Sequence, residues 1–70
     1  MNIFEIQTPK SGTTLGETMG MLMSLYFVNS VTPVGEGAHD YHFDIEVEES
    51  ASFDEVTDCL MDVLNASIRF

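Results

Sequence analysis

Imidazole and carboxylate side chains, which serve as metal ligands and as general acids or bases, are concentrated in HDYHFDIEVEE, residues 39–49. Apolar and polar residues alternate along this stretch. Such alternation is typical of a half-buried strand, because successive side chains point to opposite faces. We therefore predict a strand over about Asp40 to Glu48. Its inward face carries Tyr41, Phe43, Ile45 and Val47, and its outward face carries Asp40, His42, Asp44, Glu46 and Glu48.

The first chemical question is whether this stretch binds a metal ion. Four of its side chains are suitable ligands: His39, Asp40, His42 and Asp44. On a strand, alternate residues are about 6.6–6.8 Å apart, so three of them spread over about 13 Å. A tetrahedral site instead needs its donor atoms about 2 Å from one ion. We predict neither a metal site nor a bound cofactor.

The second question is catalysis. Cys59 lies on or beside the apolar stripe of a predicted helix, where a cysteine is typically a small core residue rather than a nucleophile. The sequence contains no Ser/His/Asp arrangement and no phosphate-binding glycine loop. We predict that the chain has no catalytic residues and is not an enzyme.

Two features bear on cellular location. Cys59 is the single cysteine, so no internal disulfide forms, and we expect no secretory leader before the first predicted strand. The uncharged run from Thr18 to Gly35 is consistently apolar only in its centre, which favours a buried helix entering a loop over a membrane span. We expect a cytoplasmic protein, in the host cytoplasm if the gene belongs to a phage.

Charge is the outlying property of the sequence. Twelve acidic residues face two basic ones, Lys10 and Arg69, which gives a net charge of −10. Residues 36–70 hold ten of the acids against one basic residue. Because nucleic-acid affinity comes mainly from basic side chains that displace counterions, this composition excludes direct nucleic-acid binding. It excludes anionic membranes for the same electrostatic reason.

The first part of the chain predicts a strand followed by a helix. Residues 2–7 are short and rich in Ile and Phe, as expected of a strand. Thr14 and Glu17 fit a capping box, so a helix is expected from about Leu15 to Val28. Its core stripe is expected to consist of Leu15, Met19, Leu22 and Tyr26.

The remaining elements follow from turn and capping signals. Pro33 cannot donate to a strand ladder, which places the second strand at a sheet edge. Residues 35–37 supply a hairpin turn, with a longer loop to His39 as the alternative. Ser52 and Glu55 fit a second capping box. The second helix is expected to bury Val56, Cys59 or Leu60, Val63 and Leu64. Residues 67–70 are expected to form a short last strand.

The order β-α-β-β-α-β predicts a single α+β domain over residues 1–70. It is the order of the ferredoxin-like sandwich, in which two helices cover one face of a four-stranded antiparallel sheet. The second and fourth strands are then edges, and the first and third are central. The other face of the sheet is left to display the carboxylates of the third strand.

Carboxylates on the third strand would be spaced by about 6.6–6.8 Å, similar to successive phosphates of a nucleic-acid strand. Three acids of the second helix, spaced four apart, would form a second row. A solvated surface kept for solubility is the alternative, but such surfaces normally mix both signs of charge. We predict that a cationic partner binds these residues: Asp40, Asp44, Glu46, Glu48, Asp54, Glu55, Asp58 and Asp62.

In size, acidity and lack of a catalytic motif, the chain resembles the small phage or mobile-element inhibitors that block restriction, CRISPR or other host nucleic-acid enzymes. Some of these inhibitors are DNA mimics. The resemblance is one of class and assigns no residue a role. It implies an inhibitor of a basic, nucleic-acid-handling protein. The alternative is a homodimeric structural or regulatory domain of the ACT kind, pairing through the first helix or the edge strand around Val31.

Overall fold

The computed structural model describes residues 2–69, which form one four-stranded sheet and two helices. The elements are β1 (Asn2–Pro9), α1 (Leu15–Met23), β2 (Val28–Glu36), β3 (Asp40–Val47), α2 (Phe53–Leu64) and β4 (Ser67–Ile68). Neighbouring strands are antiparallel, in the order β2-β3-β1-β4. This is the predicted ferredoxin-like α+β arrangement.

The central strand β3 shows the predicted alternation. Its inward residues are buried, namely Tyr41, Phe43, Ile45 and Val47. Its outward residues are half-buried, namely Asp40, His42, Asp44 and Glu46. The strand ends at Val47, one residue earlier than predicted, and Glu48 belongs to the turn that follows.

Both helices pack on the inward face of the sheet. Leu22 of α1 and Leu60 of α2 are fully buried in one cluster with Ile6 of β1 and Phe43 of β3. Burial of such side chains is worth about 1.5–3 kcal/mol each, which makes this cluster the main source of stability. No element formed by residues 2–69 covers the other face, which we call the open face.

Helix α1 begins as predicted and ends five residues early. The Thr14 hydroxyl accepts from the Glu17 amide at 3.1 Å, and the Glu17 carboxylate accepts from the Thr14 amide at 3.1 Å. The last helical residue is Met23. Among residues 2–69, no helix is long and apolar enough to cross a membrane.

The helix ends early because the following residues are needed by the sheet. Phe27 is fully buried, and its carbonyl accepts from the Glu48 amide at 2.8 Å. Val28 starts β2, opposite Val47. Tertiary pairing thus overrides the helical periodicity. Tyr26, predicted to lie in the core stripe, is instead 71% exposed.

Strand β2 is an edge strand, as Pro33 predicted. Among residues 2–69 it pairs only with β3, and its pairing is interrupted between Val28 and Ser30 and between Pro33 and Gly35. Such irregularities and a proline protect an edge against pairing with another chain. The strand continues through Glu36, so the turn predicted at residues 35–37 begins later, at Gly37, whose amide donates to the Asp40 carbonyl at 2.8 Å.

Helix α2 agrees with its predicted start and with most of its stripe. The Ser52 hydroxyl accepts from the Glu55 amide at 3.1 Å, which is one half of the predicted capping box. The other half is absent within residues 2–69, where the Glu55 carboxylate does not accept from the Ser52 amide. Val56 is buried, whereas Val63, predicted to be buried, is 48% exposed. The helix ends at Leu64 and is capped by Asn65, whose left-handed backbone (φ 54°) turns the chain towards β4. Ser67–Ile68 forms the short last strand, and Phe70 lies outside the described residues.

Replacing Phe27 tests where the helix ends. Phe27→Ala removes a fully buried ring, and we expect it to lower the free energy of unfolding by about 3–5 kcal/mol. Tyr26→Ala loses only an exposed ring that makes an edge contact with Phe27, so its cost is about 1 kcal/mol or less. Urea unfolding followed by circular dichroism measures both. Equal losses for the two variants would show that the helix continues through Tyr26.

Candidate protein-binding surfaces

The open face carries the first acidic row, on β3. The Asp40 carboxylate accepts from the Gln7 side-chain amide at 2.9 Å, and the Glu46 carboxylate accepts from the Ser30 hydroxyl at 3.3 Å. Asp44 lies between them, directly opposite Glu5 of β1. Like charges in facing positions destabilise a sheet, so this row opposes folding slightly.

Both basic side chains are engaged away from the eight predicted residues. Arg69 Nη1 lies 3.0 Å from Glu5 Oε2 and 3.3 Å from His42 Nδ1. Lys10 Nζ lies 2.7 Å from Glu36 Oε2. Arg69 therefore offsets part of the charge beside Asp44, while neither basic residue pairs with any predicted site residue.

The second acidic row lies on the solvent side of α2. Its members are exposed, and within residues 2–69 their carboxylates have no hydrogen-bond or ion-pair partner: Asp54, Asp58 and Asp62. Asp54 lies in the first helical turn and interacts favourably with the helix dipole. Asp62 lies in the last turn, where the dipole disfavours an acid and where α2 has no basic residue.

The structure does not bring all eight predicted residues onto one surface. The β3 row lies on the open face, and the α2 row lies on the helix layer, so the sheet and the core separate them. A single flat partner surface cannot contact both rows along their whole length.

The two rows do meet at one end of the domain. β3 ends beside Glu46, Glu48 lies in the following turn, and α2 starts with Asp54 and Glu55. We call this group, together with Asp44, the acidic end. The remaining predicted residues lie away from it. Asp40 is about 20 Å from Glu46 along β3, and Asp62 is about 12 Å from Asp54 along α2.

A cavity of about 250 Å³ lies at the opposite end of the domain. It is partly open to solvent and is lined by the end of β1 and the loop after it, by α1, and by the last turn of α2. Its polar lining includes Thr8, Thr13, Thr18 and Asp62. Sequence reasoning missed this cavity, because its walls come from three segments of the chain: the end of β1 with the loop after it, α1, and the end of α2.

Thr8 is the unusual residue of this cavity. It is 1% exposed, on the inward face of β1 after Phe4 and Ile6, and its hydroxyl makes no hydrogen bond with any residue in 2–69. A polar residue continuing an apolar alternation was the available sequence signal. An unpaired buried hydroxyl costs about 1–3 kcal/mol.

Metal-ligating and nucleophilic side chains are dispersed. Within residues 2–69, no three histidine, cysteine or acidic side chains are placed to hold a metal ion. Cys59 is a half-buried free thiol beside the core.

Comparison of the chain with protein-family models, with curated proteins and with solved structures finds no match. The acidic end and the cavity are therefore the features from which function is inferred.

Asp58→Lys tests the repulsion within the α2 row. Asp58 lies one turn from both Asp54 and Asp62, so the change replaces two repulsive contacts with two attractive ones. Each contact is worth about 0.2–0.5 kcal/mol, and we expect the free energy of unfolding to rise by about 1 kcal/mol in low salt. Asp58→Asn should give about half of this gain. A decrease for the lysine variant in urea unfolding would show that Asp58 has a stabilising partner.

Thr8→Val tests the unpaired hydroxyl. Valine has the same shape and no polar atom to leave unpaired, so we expect the free energy of unfolding to rise by about 1 kcal/mol.

Thr18→Val is the matched control. Thr18 is equally buried, but its hydroxyl donates to the Thr14 carbonyl at 3.0 Å. Losing that hydrogen bond should lower the free energy of unfolding by about 1 kcal/mol. If Thr8→Val also destabilises in thermal unfolding, the Thr8 hydroxyl has a partner of its own.

Proposed function

We propose that this chain is a non-catalytic inhibitor that binds a basic, nucleic-acid-handling protein and blocks its nucleic-acid site. The observation that carries the proposal is the acidic end. Four of its five carboxylates, those of Asp44, Glu48, Asp54 and Glu55, have no partner within residues 2–69. Such a group fits a cluster of lysine and arginine side chains.

The cost of the acidic end supports a binding role. Like charges repel within β3 and α2, and each close pair costs a few tenths of a kcal/mol. Solubility alone requires net charge, but it does not require that ten acids lie in one half of the chain. Binding to a cationic partner would explain why the acids are concentrated in this half of the chain.

The shape of the acidic end favours insertion over flat contact. Its carboxylates lie in three places: on the open face, in the turn after β3, and in the first turn of α2. A cleft that surrounds this end contacts both layers at once. Nucleic-acid clefts are lined with the basic groups that such a surface needs, and the spacing of Asp44 and Glu46, about 6.8 Å, resembles that of successive phosphates.

The proposed class is that of phage or mobile-element inhibitors of the anti-CRISPR or anti-restriction kind, acting in the host cytoplasm as DNA mimics. Long-range attraction would make association with the target fast and sensitive to salt. Occupation of the cleft would exclude nucleic acid by direct competition.

A homodimeric domain is the second candidate, and one observation favours it. On α1, Met21 is 38% exposed and Met23 is 49% exposed, and methionine is an adaptable interface residue. The edge-strand version of this candidate is weaker, since Pro33 and two interruptions of pairing disfavour strand addition along β2.

Affinity capture with a matched pair of double variants tests the proposal. Tagged protein is incubated with bacterial host lysate at low salt and eluted with salt or with duplex DNA. Glu48→Lys/Asp54→Lys changes the acidic end, and Asp58→Lys/Asp62→Lys makes the same change of net charge further along α2. We expect the unchanged protein to capture a nucleic-acid-binding protein that duplex DNA displaces. The captured amount should fall at least tenfold with the first variant and be largely retained with the second.

Circular dichroism of both variants controls for folding. If both variants lose the captured protein equally, binding depends on net charge alone, and the proposed role of the acidic end is overturned. Capture that depends instead on Met21 and Met23, together with a dimer whose mass in sedimentation is independent of salt, would establish the homodimer.

A further inference from the structure

We propose that the cavity at the end of β1 binds a small organic cation, an ammonium group on a short apolar body. This site lies at the opposite end of the domain from the acidic end. It is a second site, and it neither requires nor supports the proposed inhibition.

The size of the cavity sets the size of the ligand. A 150 Å³ apolar cavity holds benzene, so the 250 Å³ available here suits a molecule of about ten non-hydrogen atoms. The apolar part of the lining is partly open to solvent. Met21 is 38% exposed, Met61 is 49% exposed and Val63 is 48% exposed. An apolar ligand body lying against these three side chains would remove them from water.

The hydroxyl groups of the cavity are mainly acceptors. Thr13 donates to the Lys10 carbonyl at 2.6 Å. Thr18 donates to the Thr14 carbonyl at 3.0 Å. The oxygens of Thr13 and Thr18, 3.1 Å apart, then have only lone pairs left for a further partner.

Thr8 adds the buried anchor. Thr8 lines the cavity and is 1% exposed, and its buried hydroxyl is unpaired within residues 2–69. Because the oxygen itself has almost no accessible surface, a ligand contacts it only after the side chain turns towards the cavity, and an ammonium group then supplies up to three donors.

The charges around the cavity select the sign of the ligand. Asp62 lines the cavity in the last turn of α2, at the negative end of the helix dipole. Lys10 precedes Ser11 of the lining, but its Nζ is paired with Glu36 at 2.7 Å and lies 5.3 Å from the centre of the Tyr41 ring. Among residues 2–69, no basic residue lines the cavity, and the chain carries a net charge of −10, so anions are repelled.

Three ligands of similar size and different charge test the proposal by NMR titration of the full chain. Benzylammonium, benzyl alcohol and benzoate are added in turn at neutral pH, and amide chemical shifts are followed. We expect benzylammonium to shift saturably the amides of Thr8, Met21 and Asp62. Benzyl alcohol should bind about fivefold more weakly, and benzoate should not bind.

Variants assign the contacts. Thr8→Val and Asp62→Asn should each weaken benzylammonium binding about fivefold. Asp54→Asn, about 12 Å away on the same helix, makes the same change of charge and should leave the affinity unchanged. Because Thr8→Val is expected to stabilise the fold, loss of binding in that variant cannot be attributed to unfolding. Equal affinities for the alcohol and the ammonium, shifts confined to other residues, or unchanged binding by Thr8→Val would overturn the proposal.

Discussion

The fold depends on the pairing of β3 with a strand on each side. β1 and β2 pair with β3 along almost its full length, and this pairing fixes which side chains face the helices. Since side chains alternate strictly along a strand, burying Phe43 and Ile45 necessarily places Asp44 on the other face. Core and acidic row are therefore two consequences of one register, and a shift of one residue would exchange them.

The pattern of β3 and the proline of β2 were enough to predict the sheet from the sequence. Local signals also predicted both helix starts, because a cap needs only residues three apart, as Thr14 and Glu17 are. The end of α1 was not predictable in this way. Periodicity placed Tyr26 in the core, but the requirement that Phe27 and Val28 reach the sheet depends on contacts distant in sequence.

For the candidate sites too, features set by neighbouring residues were predictable from the sequence, whereas features set by contacts between distant residues were not. The acidic residues were identifiable from composition, and their exposure on α2 follows from helical spacing. That only part of them meets at one end depends on β3 and α2 lying in different layers. The cavity is harder still to predict from the sequence. Thr8 and Asp62 are 54 positions apart in the sequence and line one cavity only when the helices pack on the sheet.

The distribution of the two basic residues explains how the domain tolerates its charge. Arg69 lies beside Glu5, which faces Asp44, and so reduces repulsion on the open face, where acids are half-buried and least screened. Lys10 holds Glu36, at the end of β2, to the loop after β1. Neither basic residue lies beside Glu48, Asp54 or Glu55 of the acidic end, although repulsion among these acids is also unfavourable. These three carboxylates are exposed, so salt screens their repulsion and the fold tolerates it, while their charge stays available to a cationic partner.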